Sequence, residues 1–318
     1  MRHLYEKVLI DPHALAPEER SAKNSPRVNE RNEIVESGLN QCREITKKYG
    51  TSYYFATQFF PGEIRDAIYA VYAFARIPDE IVDDPKNKDD ELAVLRLEDW
   101  RRGWLRAMRS GRSDDPVMAA IVFIFQKYEI PISEGEAFLR SMFMDKERSS
   151  YANYSELEEY MYGSAGVIGL MVTRIVGYYS EDAFPYAKKL GYAFQLTNFL
   201  RDIKEDANDL GRVYMPVDEL AASGLSVDDI NSGICDDRFI AFMKTQIARN
   251  REIYREALPG IDLLKWRGRF AVRISYVLYK EILREIEKAD HNVFAGRVRT
   301  SFSRKIWLSL RALVGIYD

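Results

Sequence analysis

The chain has 318 residues, 47% hydrophobic and 30% charged, a composition that supplies a substantial core and suits one large domain or two small ones. Its 46 Lys and Arg are intermixed with 49 Asp and Glu, leaving a net charge of −3 and no broad basic field for nucleic acid. The two cysteines, Cys42 and Cys235, exclude a disulfide framework and fit a reducing compartment. The opening stretch MRHLYEKVLIDPHALAPEERS is too charged for a secretory signal, and no run of about 18 apolar residues could span a membrane. A cytoplasmic location is the expectation.

Only 11 prolines and 18 glycines interrupt long stretches of 3.6-residue periodicity, and no run of alternating Val, Ile and Thr suggests a sheet, so the expected fold is all-α. Residues 1–32 read as a charged, proline-punctuated lead-in, and 33–318 as one large helical domain. Ile34, Leu39, Cys42 and Ile45 mark a first core helix over 31–49. A turn at 50–55 leads to Pro61, which opens a helix through Arg65, Tyr69, Tyr72 and Arg76. Pro78 removes an internal hydrogen bond and is expected to kink or end that helix, rotating Asp79 and Asp83 away from Tyr72 and Arg76. A loop over 85–90 precedes a helix over 91–108, with Leu92, Leu95, Leu97, Trp100, Trp104 and Leu105 assigned to the core. The apolar run VMAAIVFIFQKY at 117–128 reads as the buried central helix, followed by a helix over 132–151. Over 157–178 a single helix carries Gly163, Ala165, Gly166 and Gly169 on one side, allowing close packing or room for a bulky ligand. A polar connector with a short helix spans 218–237, and long helices are expected at 239–258 and 266–290. The last, 306–316, is amphipathic with Arg299, Arg304 and Lys305 nearby. It reads as a packed terminal helix or as one resting on a membrane surface.

Two acidic stretches stand out. In QLTNFLRDIKEDANDLGRVYMP at 195–216, Gln195, Asn198, Asp202 and Asp206 fall at steps of three, four and four and share one helix face. In YAVYAFARIPDEIVDD at 69–84, Tyr72, Arg76, Asp79 and Asp83 do the same, with Glu80 and Asp84 as a parallel pair. Carboxylates one turn apart, about 6 Å, repel unless solvent or a cation intervenes, and a hard oxygen-seeking ion such as Mg2+ relieves that repulsion. Either pair could equally lie on a solvated face. Against that, both stretches are otherwise apolar and aromatic and each holds an arginine, Arg76 or Arg201. The simplest proposal has the two faces opposed across a cavity, with several Mg2+ ions bridging them to something rich in phosphate.

These stretches make the chain recognisable. From about residue 41 to 310 it resembles the squalene/phytoene synthase family, the head-to-head branch of the trans-isoprenoid synthases, and within it most resembles a bacterial-type phytoene synthase. YAFARIPDEIVDD at 72–84 is similar to the family's YAxxRxxDDxxD, and 195–216 to its QLxNxxRDxxED…GRxYxP. The resemblance implies an isoprenoid synthase bundle around a central cavity, with Asp79, Glu80, Asp83, Asp202 and Asp206 as ligands of Mg2+ (Mn2+ as an alternative ion). It places Ser52 near a diphosphate, although Ser52 also suits a helix cap, and makes Tyr160 and Tyr162 candidates to line the pocket beside the reacting carbons. Arg76, Gln195, Asn198, Arg201, Arg212 and Tyr279 would contact the substrate. Asp145 matches a family aspartate, as a cavity wall carboxylate or as a partner for Lys146 or Arg148. The loop before Arg212 is one residue longer than the usual bacterial form, leaving Asp209 as a spare acid towards the metals and a loop expected to order with substrate.

The implied reaction joins two prenyl diphosphates C1 to C1′ through a cyclopropylcarbinyl diphosphate, releasing diphosphate. GRVYMP and NVFAGRVR favour phytoene from two geranylgeranyl diphosphates. The alternative is a C30 product of two farnesyl diphosphates: dehydrosqualene, presqualene diphosphate or, with NADPH, squalene. A catalytically silent binding or scaffold homologue is a rival of another class, disfavoured by the retained Asp, Arg and Asn set. A head-to-tail elongase fits poorly because its motifs read DDxxD. Partners expected are the prenyl diphosphates alone, with a peripheral membrane contact for product release as an open option and the assembly a monomer or weak homodimer.

Overall fold

The computed structural model describes residues 28–83 and 90–313. The side chains of 28–31, 51, 52, 90 and 313 lie outside that description. Long helices dominate because the apolar positions recur at three and four. Helix α1 is Val28–Tyr49, α2 Thr51–Thr57, α3 Gly62–Asp83, α4 Asp90–Ser110, α5 Pro116–Lys127, α6 Ile132–Glu147 and α7 Tyr154–Met161. A π-helical turn, Tyr162–Gly166, leads into α8, Val167–Val176. Then come α9 Ala183–Asp209, α10 Val217–Ala222, α11 Val227–Asn231, α12 Asp237–Asp262, α13 Trp266–Lys288 and α14 Phe302–Leu313. Among the described residues the only β pairing is two isolated bridges, Ser150 with Val213 and Tyr178 with Leu264. The all-α expectation holds.

Helix starts follow capping chemistry. Asp115 accepts from Met118 N at 2.7 Å with Pro116 in the first turn of α5, Asn153 accepts from Glu156 N at 3.0 Å, and Asp236 accepts from Arg238 N and Phe239 N. The described residues from 34 onwards group into one compact body. Its axis is α9, which packs against α7, α8, the π turn, α11, α12 and α13. The helix at 117–128 is buried on its inner side but packs chiefly on α3 and α4, so it is not the central one. There the rings of Trp100, Trp104, Phe125 and Phe138 surround Phe74 at centroid distances of 4.9–5.6 Å. Leu97 and Trp104 of α4 are core as expected, whereas Leu92 and Leu95 are exposed.

Two backbone expectations are corrected. Pro78 neither ends nor displaces the helix: α3 runs through it to Asp83, and Tyr72, Arg76, Asp79 and Asp83 all line one cavity. The proline is buried, so packing of α3 against its neighbours outweighs the one lost backbone bond. The 157–178 segment is not one helix, because the π turn at 162–166 inserts a residue and changes the phase between α7 and α8. That turn meets α9 where Gly191 lies against the Ala165 backbone, and a Cβ on Gly191 would overlap the Ala165 carbonyl. Gly191→Ala is therefore expected to lower stability by about 1–3 kcal/mol, as overpacking against rigid backbone does. Denaturant melts would check this, and an unchanged midpoint would refute the close approach.

Candidate active site

The cavity is about 820 Å³ and is built on α3 and α9. Along α3 its lining passes from Ile68 and Val71 through Tyr72 and Arg76 to Asp79 and Asp83. Along α9 it passes from Ala187, Leu190 and Phe194 through Gln195 and Asn198 to Arg201, Asp202 and Asp206. Both helices thus change from apolar to acidic towards their C-terminal ends, where the helix dipole already disfavours negative charge. Cations must compensate, and arginines supply part of that charge. Arg76 donates to Asp79 at 2.6 Å, Arg201 Nε to Asp202 at 2.7 Å, Arg297 to Asp202 at 3.0 Å and Arg212 to Asp83 at 2.8 Å.

Arg212 is buried and comes from the segment after α9. Gly211, at φ +67°, turns the chain, and Arg212 N donates to Asp206 O and Val213 N to Ser149 O, which anchors this return. Arg212 Nε also donates to the Asp145 carbonyl at 3.1 Å. The Asp145 carboxylate accepts from Tyr160 at 2.8 Å and from Tyr214 at 2.9 Å, and Phe199 stacks on Tyr214 at 4.2 Å. Asp145 is therefore a wall carboxylate whose partners are two tyrosines and Arg212, not Lys146 or Arg148.

Burial pushes Asp206 up to about 8, helped by Asp202 and Asp83 and opposed by Arg212. Burial, then Asp83, also raises Asp79, with Arg76 pulling the other way. Burial raises Asp145 to about 6 against Arg212 and the two tyrosine hydroxyls. Burial works against the Arg212 charge, but Asp145, Tyr214 and Asp83 more than offset it, so its pKa rises. For Asp206 the folded pKa lies above the ordinary 3.8, so its contribution to stability is complete below about pH 4 and is lost as pH rises through about 8. In EDTA, Asp206→Asn should therefore gain on the parent steadily between those pH values in thermal melts. A pH-independent difference would contradict the burial of this carboxyl.

Among the described residues, no three carboxylate, His or Cys side chains converge on one point as a ready ion cage. The donors nevertheless fit Mg2+: all are carboxylate oxygens, on two helices, and this ion commonly takes one or two carboxylates and completes its shell with water and phosphate.

The family model described as squalene/phytoene synthase matches residues 46–304. The chain belongs to the squalene/phytoene synthase family. It is 36% identical to the chloroplastic phytoene synthase 2 of Solanum lycopersicum over 279 residues, 86% of this chain and 89% of that one. It is 34% identical to the 15-cis-phytoene synthase of Synechococcus elongatus over 284 residues, covering 86% and 91%. A dehydrosqualene synthase solved with a ligand superimposes with a TM-score of 0.82 at 26% identity, covering 90% of this chain and 98% of that one. The squalene synthase HpnC of Alicyclobacillus acidocaldarius shares the fold, with a TM-score of 0.74 at 22% identity over 82% and 97% of the two chains. The protein is thus an enzyme of the head-to-head condensing family.

The cavity gathers Arg76, Asp79, Asp83, Tyr160, Gln195, Asn198, Arg201, Asp202, Asp206, Arg212 and Tyr279. Three expected positions fall elsewhere. Glu80 points away from it into an adjoining groove with Tyr49 and Arg96, where it pairs with Arg76 from behind. Tyr162, the first residue of the π turn, is 41% exposed and does not line the cavity. Asp209 ends α9 facing solvent. Ser52 sits inside the first turn of α2, after Gly50, and so is not the cap; its side chain lies outside the described residues, as does Asp84. Arg297, Tyr214 and Lys305 line the cavity without having been singled out. Arg297 comes from an irregular segment with no periodicity to reveal its facing.

Proposed function

We propose that this enzyme condenses two geranylgeranyl diphosphates into phytoene. One allylic diphosphate ionises, and the C2–C3 double bond of the second attacks the cation with loss of a proton, giving prephytoene (cyclopropylcarbinyl) diphosphate. A second ionisation, rearrangement and proton loss give the C1–C1′ linked hydrocarbon, so two diphosphates and two protons leave in all. Asp79, Asp83, Asp202 and Asp206 would hold Mg2+, which would supply charge neutralisation for the leaving diphosphate. Arg76, Arg201, Arg212 and Arg297 bind its oxygens, which forked and permanently charged donors suit. Tyr160, Phe199 and Tyr214 offer aromatic faces to developing positive charge, and the apolar walls keep water from it.

The observation that carries this reading is one cavity acidic and arginine-rich where the helices end and apolar along their earlier turns. The C20 chain length rests on the phytoene synthases to which the chain is 34% and 36% identical. The overlay with a dehydrosqualene synthase favours the alternative, a C30 product from two farnesyl diphosphates. No described helix is long and apolar enough to cross a membrane, and a cytoplasmic location belongs to the same proposal.

The test supplies the purified protein with Mg2+ and either substrate, with and without NADPH, and reads hydrocarbons by mass. A C40 product from geranylgeranyl diphosphate alone, abolished by EDTA, is expected. A C30 product from farnesyl diphosphate alone would move the assignment to the squalene-type branch.

A further inference from the structure

Helix α14 buries Leu308, Ser309 and Ala312 against the body and leaves its largest apolar residues outside. Phe302, Ile306 and Leu310 recur every fourth residue and are 67%, 42% and 57% exposed, with Trp307 beside them at 45%. Large side chains in such a stripe form a patch and not a scatter. The charge of the segment itself is one-sided, although Glu281 and Glu285 of α13 lie near Arg304. Residues 291–313 contain no Asp or Glu but five cations, Arg297, Arg299, Arg304, Lys305 and Arg311, in a chain whose net charge is −3. Arg304 pairs with Glu281 at 2.7 Å and Arg297 with Asp202, so they serve the interior. Arg299 is exposed, and Arg311 lies over the Trp307 ring at 4.7 Å, at the edge of the stripe. The segment is also continuous with the cavity, because Arg297, Val298, Arg299, Thr300 and Lys305 line it.

We propose that α14 is the face by which the enzyme rests on an anionic lipid bilayer, its Phe302–Ile306–Leu310 stripe entering the interface and Arg299 and Arg311 meeting lipid phosphates. An apolar stripe edged with cations suits the headgroup boundary better than it suits water or a neutral partner. Placement of this face beside the cavity mouth gives an apolar product a short path into the bilayer, a consequence that rests on the condensation reading. The docking itself does not.

The test is flotation of the full chain with vesicles of phosphatidylcholine containing about one third phosphatidylglycerol, and with phosphatidylcholine alone. Binding to the anionic vesicles is expected, weakened by raising salt from about 0.05 to 0.5 M. The exposed double variant Ile306→Ser/Leu310→Ser should lose about tenfold or more in partitioning. Its melting temperature and its turnover of detergent-dispersed substrate should be unchanged. Equal flotation of parent and variant, or none of the parent, would overturn the proposal. So would a parent dimer that the double variant converts to monomer without any vesicle binding, since the stripe would then join two copies. Because flotation needs no turnover, failure of the reaction assay and failure of docking are read separately.

Discussion

Asp202→Ala is expected to fold normally and to lose turnover by about 10³-fold or more, the scale seen when a group stabilising transition-state charge is removed. Asp202 accepts from both Arg201 and Arg297 and neighbours Asp206 on the same helix face, so it orders the arginines that meet the diphosphate and offers oxygens to the metal. It faces an open cavity, so its loss leaves no void and melting should shift little. Asp79→Ala should behave alike, since on α3 that carboxylate holds Arg76 one turn away, as Asp202 holds Arg201 on α9. Product formation measured beside thermal melting decides this. Activity within a few-fold of the parent in either variant would remove these carboxylates from the chemistry.

Arg212→Ala should damage fold and function together. This buried side chain donates to Asp83 on α3 and to the Asp145 carbonyl on α6, tying two helices to the segment after α9. Removing it strands the Asp83 and Asp145 carboxylates without their cation, a loss of about 3–5 kcal/mol by analogy with other broken buried pairs. Arg212→Lys should recover part of the stability but little activity, because one ammonium cannot span two acceptors and a diphosphate as a guanidinium fork does. A lysine variant with full activity would show that charge alone suffices there.

Much of the site was legible because its helices obey a simple period. The steps of three and four that join Tyr72 to Asp83 and Gln195 to Asp206 place each set on one face whatever lies opposite, and the cavity takes them all. Glu80 misleads for the same reason: it is next to Asp79 in sequence but about 100° further round the helix, where Arg76, one turn back, captures it. Tyr162 misleads because it lies only two residues from Tyr160, about 200° round the helix, so the two cannot face the same cavity. Pro78 suggested a break that tertiary packing suppresses. The partners of Asp145 were beyond reach, because Tyr160 and Tyr214 arrive from other segments and nothing in the spacing ties them to it. Arg297 arrives from an irregular segment, so its pairing with Asp202 follows from the fold alone.

The central claim is that the acidic ends of α3 and α9 form one site for diphosphate with Mg2+. Calorimetric titration with inorganic diphosphate, with and without Mg2+, tests it most directly. Because no described carboxylates form a ready cage, Mg2+ alone should bind weakly and diphosphate alone weakly, while each strongly tightens the other. That mutual tightening should vanish in Asp202→Asn. Diphosphate binding that ignores Mg2+, or coupling that survives in the variant, would contradict the account.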